Sequence, residues 1–228
     1  MNCAYCQYGW TRSAARFRGQ GRGWPTPIAV AMAVEDRLAR AADRNEIIDR
    51  ITVAGHGEPT LHPEFDEVSR RLRDARDRFA PDVPIAILSN STTASWPDVR
   101  QTLDLYDARY MKLDAGDPLT YASLNGTAPA LDTVIDALAR LGDIVVQAMF
   151  VTEETRQIDN STDGAVNEWL RALDRMRADA VHIYTIDRPP ALSSLRPVPD
   201  RRLREIGERV RSAGIPAQVF PARRAPSR

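Results

Sequence analysis

Two cysteines close to the start of the chain have a type and spacing that could do chemistry. Cys3 and Cys6 form a Cys-x-x-Cys pair with Tyr5 between them, and the 228-residue chain has no other cysteine. Paired thiolates can exchange disulfides, bind zinc or hold an iron–sulfur cluster. A thioredoxin-like pair needs a strand before it and a helix after it, and a zinc site needs four ligands. Both fit this segment poorly, and an iron–sulfur cluster, which thiolates hold well, is the third possibility.

A second group of candidate residues stands where short apolar runs end. Gly55 and Gly57 follow one such run, and glycines let the backbone approach a ligand closely. Glu58 comes next and offers a negative charge, while Asn90 and Asp114 offer hydrogen-bonding groups after two later runs. Each also has an ordinary structural interpretation, because a Gly-Glu-Pro turn is a common loop and an asparagine can cap the following segment.

One cation differs from the others in type. Lys112 is the only lysine of the chain, and it stands two residues before Asp114, so that both side chains leave the same face of a strand. We expect either an ion pair with Asp114 or a contact with a substrate. His56 and His62, which flank the glycine-containing turn, are expected to be capping or core histidines.

Alternating apolar runs and helical patterns must position these residues. The runs recur about 24 to 37 residues apart, the size of one βα unit, and most are continuously apolar, which suits a parallel sheet covered by helices. They are 51–55, 85–90, 110–114, 144–151, 181–186 and 217–220. Helical spacing of apolar residues predicts helices at 28–42, 65–79, 99–103, 131–141, 166–176 and 203–210. The fold class is therefore α/β, with chemistry expected at the carboxyl ends of the strands.

Several ordered motifs resemble one family. They are 2–7 (NCAYCQ), 55–63 (GHGEPTLHP), 88–91 (LSNS), 111–116 (MKLDAG) and 181–190 (VHIYTIDRPP). Together they resemble the radical S-adenosylmethionine (radical SAM) superfamily, in a branch of iron–sulfur oxidoreductases similar to wyosine-tRNA synthases. The resemblance implies a partial (β/α)6 TIM-like barrel that lacks its first strand in this chain. It places a core domain at residues 1–220 and a loose basic tail at 221–228.

The resemblance also implies cofactors and roles. A [4Fe–4S] cluster would be held by Cys3 and Cys6, and its electron would cleave S-adenosylmethionine to a 5′-deoxyadenosyl radical that abstracts hydrogen from an unidentified substrate. The residues implied in binding S-adenosylmethionine or substrate are Tyr5 near the adenine, Gly55, Gly57, Glu58 and Pro59 near the methionine, and Asn90 and Asp114 near the ribose or substrate. A flavodoxin or ferredoxin would supply the electron.

The chain departs from the family pattern at its start. The family loop has three cysteines, and the first would lie four positions before Cys3, outside this chain. We expect that the gene product begins further upstream and that the core domain is truncated here. Two alternatives stay open: a barrel that lacks the cluster and acts as a non-catalytic binding protein, and a thiol–disulfide module at Cys3 and Cys6.

Composition and charge limit the possible partners and location of the protein. The chain has 31 basic and 31 acidic residues, which argues against a strongly basic nucleic-acid binder. Both ends are nevertheless purely basic, and Arg12, Arg16, Arg18 and Arg22 are interleaved with glycines and aromatic residues. This mixture suits phosphate or nucleic acid and predicts either a loop that contacts an anionic substrate or an arginine-rich solvated loop. The wyosine-type resemblance makes RNA one candidate for that substrate. Mean hydropathy is −0.39, and we see neither a membrane-spanning run nor a secretory signal, so we expect a cytoplasmic protein with no membrane partner.

Overall fold

The computed structural model describes residues 1–9, 23–55, 57–126, 128–153 and 158–222. The chain divides into two compact units. Unit 1 comprises Met1–Ala14, Asn90–Thr92 and Met111–Arg228, and unit 2 comprises Ala15–Ser89 and Thr93–Tyr110. Within the described residues, no helix combines the length and the apolar character needed to cross a membrane.

Unit 2 is built from parallel strands and the helices that connect them. Its elements are α1 (Pro27–Asp43), β1 (Ile51–Val53), a 3-10 turn (Pro59–Leu61), α2 (Phe65–Phe79), β2 (Ile85–Ser89), α3 (Pro97–Leu103) and the first part of β3 (Ala108–Lys112). Strands β1 and β2 are parallel, with Ile51 opposite Ile85. Helix α1 begins where the Thr26 hydroxyl accepts the Ala29 N–H at 3.2 Å, and Pro27 occupies the first turn, where its missing N–H costs nothing.

Unit 1 contains the end of β3 and the second half of the sheet. Its further elements are α4 (Pro118–Asn125), α5 (Leu131–Leu141), β4 (Ile144–Glu153), β5 (Ile158–Asp159), α6 (Asp163–Met176), β6 (Ala180–Thr185), β7 (Arg196–Pro197), α7 (Asp200–Ser212) and β8 (Ala217–Phe220). The strands of this unit lie in the order β3-β4-β6-β8. Strand β6 is parallel to both β4 and β8, while the short β5 and β7 pair antiparallel with β4.

The two faces of the sheet in unit 1 differ in burial. Along β4, buried Val146, Ala148 and Phe150 alternate with half-buried Gln147 and Met149, and β6 shows the same alternation. The buried face packs on helices, with the Phe150 ring 5.1 Å from that of Trp169 on α6. The other face carries Gln147, which donates to the Tyr184 hydroxyl at 3.2 Å. This strand therefore has one helix-covered face and one half-buried face, on which Gln147 is the polar residue between Val145 and Met149.

A close approach of backbones fixes the segment that follows β3. A Cβ at Gly116 would lie 2.1 Å from the Glu168 carbonyl oxygen of α6, so only glycine fits there. The Trp169 indole N–H donates to the Leu113 carbonyl at 2.9 Å, a second link between α6 and this segment. Together these contacts hold Asp114, which lies between Leu113 and Gly116, in a fixed position.

The α/β class and all six expected strands are confirmed, with end points that differ by a few residues. The six expected helices are confirmed as α1, α2, α3, α5, α6 and α7. Sequence patterns missed α4, the 3-10 turn, β5 and β7, which are all short. His56, the four arginines of the predicted anion-binding loop and residues 223–228 of the tail lie outside the described residues. The division into a core domain and a tail stays a prediction.

Candidate functional site

The cysteine loop, residues 1–9, is folded by its own hydrogen bonds. The Cys6 N–H donates to the Cys3 carbonyl at 3.1 Å, and the Gly9 N–H donates to the Cys6 carbonyl at 3.2 Å. Both cysteines are free thiols and are half-buried. Successive turns of this kind present both sulfur atoms on one short segment.

Distant parts of unit 1 hold the cysteine loop in place. The Asn2 N–H donates to the Asn125 carbonyl at 3.1 Å, and the Ala4 N–H donates to the Leu124 carbonyl at 2.8 Å, both at the end of α4. On the other side, the Leu192 N–H donates to the Ala4 carbonyl at 2.8 Å. The protein alone therefore orders this loop, because these bonds need no bound group.

Asp114 is the centre of a buried polar network beside the loop. It is 1% exposed, and its Oδ1 accepts the Met149 N–H at 2.9 Å. Its Oδ2 accepts from the Tyr5 hydroxyl and forms an ion pair with Lys112 Nζ. Both carboxylate oxygens are thus used within the protein, and the expected Lys112–Asp114 ion pair is confirmed.

Burial and the contacts within the network shift the pKa values of Lys112 and Tyr5. Burial would lower the pKa of Lys112, but the charge of Asp114, its hydrogen bond with Lys112 and the effect of Cys3 together outweigh burial, so the pKa is raised above its ordinary value. Burial, assisted by the charge of Asp114, raises the pKa of Tyr5 well above its ordinary value. At neutral pH Lys112 is therefore an ammonium group and Tyr5 a neutral phenol.

Asn125 and Tyr121 of α4 face this network, and each has a hydrogen-bond donor without an acceptor among the described residues. Asn125, fully buried, accepts from Lys112 Nζ and from the Cys3 thiol, whose Sγ is 3.6 Å from Oδ1. Among the described residues, neither Asn125 Nδ2 nor the Tyr121 hydroxyl has a hydrogen-bond partner, although both are buried. Burial raises the pKa of Tyr121 to about 12, with opposing effects from the nearby Lys112 and Asp114. A ligand with acceptor atoms at Cys3 would relieve the cost of leaving such groups unsatisfied, about 1–3 kcal/mol each.

The glycine-containing turn of unit 2 is open at its glycines. Gly57 has φ of +131°, a conformation that other residues rarely adopt. Among the described residues, no atom lies within 4 Å of the position that a Cβ would take at Gly55 or Gly57. The backbone conformation requires glycine at position 57, and the space beside both glycines suits the close approach of a ligand.

Glu58 is held by neutral donors in unit 2. It is 5% exposed, and its Oε1 accepts the Thr60 N–H at 3.2 Å, the Thr60 hydroxyl at 2.6 Å and the Ser89 hydroxyl at 2.9 Å. Thr60 in turn contacts the Thr93 hydroxyl. Glu58 therefore caps the 3-10 turn that starts at Pro59, which gives it a structural role whatever it binds.

The remaining candidates have local partners. Asn90 Oδ1 accepts the Thr92 N–H at 3.0 Å and the Thr92 hydroxyl at 2.6 Å, a local contact that fits its ordinary structural interpretation, while a role toward ribose or substrate stays a prediction. His62 is buried, lies 2.8 Å through Nε2 from the Pro25 carbonyl and accepts the Glu64 N–H through Nδ1 at 3.0 Å. The interpretation of His62 as a core histidine is confirmed.

The structure thus collects the sequence candidates into two sets. Unit 1 brings Cys3, Tyr5, Lys112 and Asp114 together, and unit 2 holds Gly55, Gly57, Glu58 and Pro59 on one turn. Sequence analysis missed Asn125 and Tyr121. The helix that carries them has a start signal, since the Asp117 carboxylate accepts the Thr120 N–H at 2.8 Å and Pro118 follows it, but no pattern connects that helix with Cys3.

Comparison with known families decides the ancestry of this chain. The family model of the radical SAM superfamily matches residues 1–152, which include the cysteine loop and the glycine-containing turn. The chain belongs to the radical SAM superfamily.

A curated relative is similar to this chain over a longer range. A UPF0026 protein of Methanocaldococcus jannaschii is 26% identical over 205 residues, covering 86% of this chain and 58% of the relative. The chain therefore spans little more than half the length of that relative.

Solved structures of similar fold cover most of the chain. SuiB of Streptococcus suis, in its crystal structure bound to S-adenosylmethionine, has a TM-score of 0.65 and 16% identity, covering 96% of this chain and 47% of SuiB. Archaeal TYW1 has a TM-score of 0.58 and 12% identity, covering 85% of this chain and 65% of TYW1. These likenesses confirm the partial TIM-like barrel of the radical SAM type.

Proposed function

We propose that the protein is an enzyme that binds a [4Fe–4S] cluster and S-adenosylmethionine and abstracts hydrogen from a substrate still to be identified. One observation carries the proposal: a cysteine loop that the protein itself orders lies against buried hydrogen-bond donors without acceptors. Superfamily membership supports radical chemistry with S-adenosylmethionine in general.

The residues present fit a cluster in type, although they supply only part of its ligands. Cys3 and Cys6 offer two thiolates on one short turn. Within the described ranges, no group of three or more His, Cys, Asp or Glu residues is placed to hold a metal ion. We therefore keep the expectation of a third cysteine encoded upstream, four positions before Cys3, which would leave one iron open to S-adenosylmethionine.

The chain's own residues would bind and orient the cofactors. When bound, the cluster supplies one electron that cleaves S-adenosylmethionine and yields the hydrogen-abstracting 5′-deoxyadenosyl radical. Gly55 and Gly57 leave room for the methionine part beside the backbone, and Glu58 would attract its ammonium group. Tyr5, whose hydroxyl Asp114 fixes, is the proposed contact of the adenine. Asn90 and Asp114 would act at the ribose or substrate.

The proposal is tested on the gene product that includes the codons upstream of Met1. After anaerobic reconstitution, we expect the visible absorbance of a [4Fe–4S] cluster, bound iron and release of 5′-deoxyadenosine with a chemical reductant. Cys3→Ala and Cys6→Ala should abolish all three, whereas Ser123→Ala, on the exposed side of α4, should leave them unchanged. Full cleavage activity in either cysteine variant would overturn the cluster assignment.

The two alternatives give different results in the same experiment. A thiol–disulfide module would show a reversible Cys3–Cys6 disulfide and bind no iron. A non-catalytic binding protein would show neither the disulfide nor the cluster. An in-frame upstream cysteine codon supports the enzyme.

The substrate and the partners are part of the proposal. We propose a cytoplasmic oxidoreductase that takes its electron from a flavodoxin or ferredoxin and acts on an anionic substrate, with RNA as a candidate. The support is the interleaving of Arg12, Arg16, Arg18 and Arg22 with glycines and aromatic residues. Replacing all four arginines with glutamine should weaken binding to bulk tRNA and flatten its salt dependence, because fewer counterions are released. Equal binding by this variant would exclude RNA.

A further inference from the structure

The side-chain amide of Asn125 has a fixed orientation beside Cys3. Two neighbours, the Lys112 ammonium group and the Cys3 thiol, donate to Oδ1. An amide turned the other way would set its own N–H groups against both donors, so the assignment of oxygen and nitrogen follows from the partners. Nδ2 is therefore the atom of this buried amide that has no acceptor among the described residues.

Iron binding would reverse the hydrogen-bonding role of Cys3. A thiol donates a proton, but a thiolate that ligates iron has lost it and is an acceptor. The carbonyl oxygen that accepts from Cys3 in the free protein would then face a negatively charged sulfur atom. A rotation of the amide that keeps Oδ1 on Lys112 and turns Nδ2 toward Sγ would satisfy both the sulfur and the orphaned N–H.

We propose that Asn125, held through Oδ1 by Lys112, donates a hydrogen bond from Nδ2 to the Cys3 thiolate of the bound cluster and raises the cluster's reduction potential. This inference rests on the proposed function, since it requires a cluster at Cys3. Reduction adds electron density to the cluster sulfurs, and a donor stabilises the reduced state more than the oxidised state.

The surroundings of Asn125 strengthen this effect. Asn125 is fully buried and the side chain of Lys112 is 16% exposed, so water screens the interaction weakly. Lys112 draws electron density toward Oδ1, which makes the Nδ2 hydrogens better donors. Tyr121 lies one helical turn before Asn125, on the same side of α4, and its hydroxyl is a second buried donor without an acceptor.

Spectroelectrochemical titration of the reconstituted full-length protein tests the inference. Asn125→Leu removes the donor without adding charge, and we expect the ratio of reduced to oxidised cluster at a fixed potential to fall about tenfold, which is about 59 mV for one electron. Asn125→Asp removes the donor and adds a negative charge, so its ratio should fall further. Ser123→Ala, on the exposed side of the same helix, should titrate like the wild type.

A second measurement uses the wild-type protein, in case the leucine variant folds poorly. Protein labelled with ¹⁵N only in asparagine side chains is reduced, and pulsed EPR measures coupling between the cluster and ¹⁵N. We expect a coupling that disappears in Asn125→Asp.

The outcomes separate this inference from the proposed function. A wild type that binds no iron overturns both. The hydrogen bond is overturned, and the cluster assignment stands, if Asn125→Leu has full iron content and a wild-type potential. The same holds if the potential is lowered only in Asn125→Asp. A ¹⁵N coupling that persists in Asn125→Asp likewise overturns the hydrogen bond and leaves the cluster assignment standing.

Discussion

The two buried carboxylates singled out in the sequence have different partners among the described residues. In unit 1, Asp114 is neutralised by the ammonium group of Lys112 and bonded to the phenol of Tyr5. In unit 2, Glu58 accepts three hydrogen bonds from the neutral groups of Thr60 and Ser89. Asp114 has partners from widely separated parts of the chain, whereas two of the three donors to Glu58 stand two residues away.

This difference indicates different tolerances to change. Neutralising Asp114 leaves a buried ammonium group without its counter-charge, which is costly. Neutralising Glu58 leaves hydroxyl groups that can bond to a glutamine just as well. We therefore expect neutralisation of Asp114 to lower the free energy of unfolding. Neutralisation of Glu58 should mainly weaken ligand binding.

The largest effect should come from Asp114→Asn. Removing one partner of a buried ion pair typically costs about 3–5 kcal/mol, and urea unfolding at pH 7 measures that loss. The double variant Asp114→Leu with Lys112→Met should recover part of it, since no buried charge is left unpaired. A single variant as stable as the wild type would show that the network carries no net charge interaction.

Alkaline pH should lower the stability of both units by similar amounts, because each contains a buried tyrosine with a raised pKa. Burial raises the pKa of Tyr106 in unit 2 to about 12, against the effect of its hydrogen bond with Ser69, and burial raises that of Tyr121 in unit 1 to about 12. A raised folded pKa means that each contribution is complete below pH 10, the unfolded pKa, and is lost as pH rises toward 12. Each tyrosine should cost about 2 kcal/mol over this window.

Urea unfolding at pH 9 and pH 11.5 measures this loss, which should be smaller in Tyr106→Phe and in Tyr121→Phe than in the wild type. Tyr8→Phe is the control, because Tyr8 is 58% exposed. If the phenylalanine variants lose as much stability as the wild type, these tyrosines do not control the alkaline transition.

A binding effect of similar or smaller size is expected at Glu58. Glu58→Gln should weaken S-adenosylmethionine binding by about 1–3 kcal/mol, the contribution of a charge-assisted hydrogen bond, as measured by calorimetry on the reconstituted protein. Iron content should stay normal, and the free energy of unfolding should change by no more than about 1 kcal/mol. Glu67→Gln, on the surface of α2, is the matched control. Unchanged affinity would leave Glu58 with only its capping role.

The smallest expected effect is a difference in stability at pH 7 between Tyr106→Phe and Tyr121→Phe. Tyr106 loses a hydrogen bond with the Ser69 hydroxyl at 2.7 Å when it becomes phenylalanine, which should cost about 1 kcal/mol. In the protein without a cluster, Tyr121→Phe removes a buried hydroxyl that has no partner among the described residues, so stability should be unchanged or higher. Thermal unfolding of both variants side by side tests this; equal losses would mean that the Tyr121 hydroxyl is satisfied in solution.

The sequence predicted the repeating elements well because their signals are local. The apolar spacing of α2 and the strand run at 217–220 reappear in the structure with the expected bounds. Helix α4 was missed because it is short and because its apolar residues do not form one stripe: Leu119 is exposed, whereas Tyr121 and Leu124 are buried.

The candidate site was predicted in composition but not in arrangement. Lys112 and Asp114 could be paired from the sequence because strand geometry places side chains two residues apart on one face. Asn125 could not be found, because its role depends on the long-range contacts that bring Cys3 to the end of α4. The roles of Tyr5, Glu58 and Asn90 toward S-adenosylmethionine stay predictions.

The bond between Leu192 and the cysteine loop has a consequence for the order of events during synthesis. The ribosome makes Ala4 early and Leu192 late, and at about 5–20 residues per second the interval is roughly 10–40 s. Throughout this time the cysteine loop lacks its bond to Leu192, although Leu124 and Asn125 at the end of α4 are made much earlier. A cluster delivered to the finished chain would meet a loop held from both sides, whereas iron that reaches the nascent chain would meet a loop held only by α4. Maturation after release from the ribosome is the route that this topology favours.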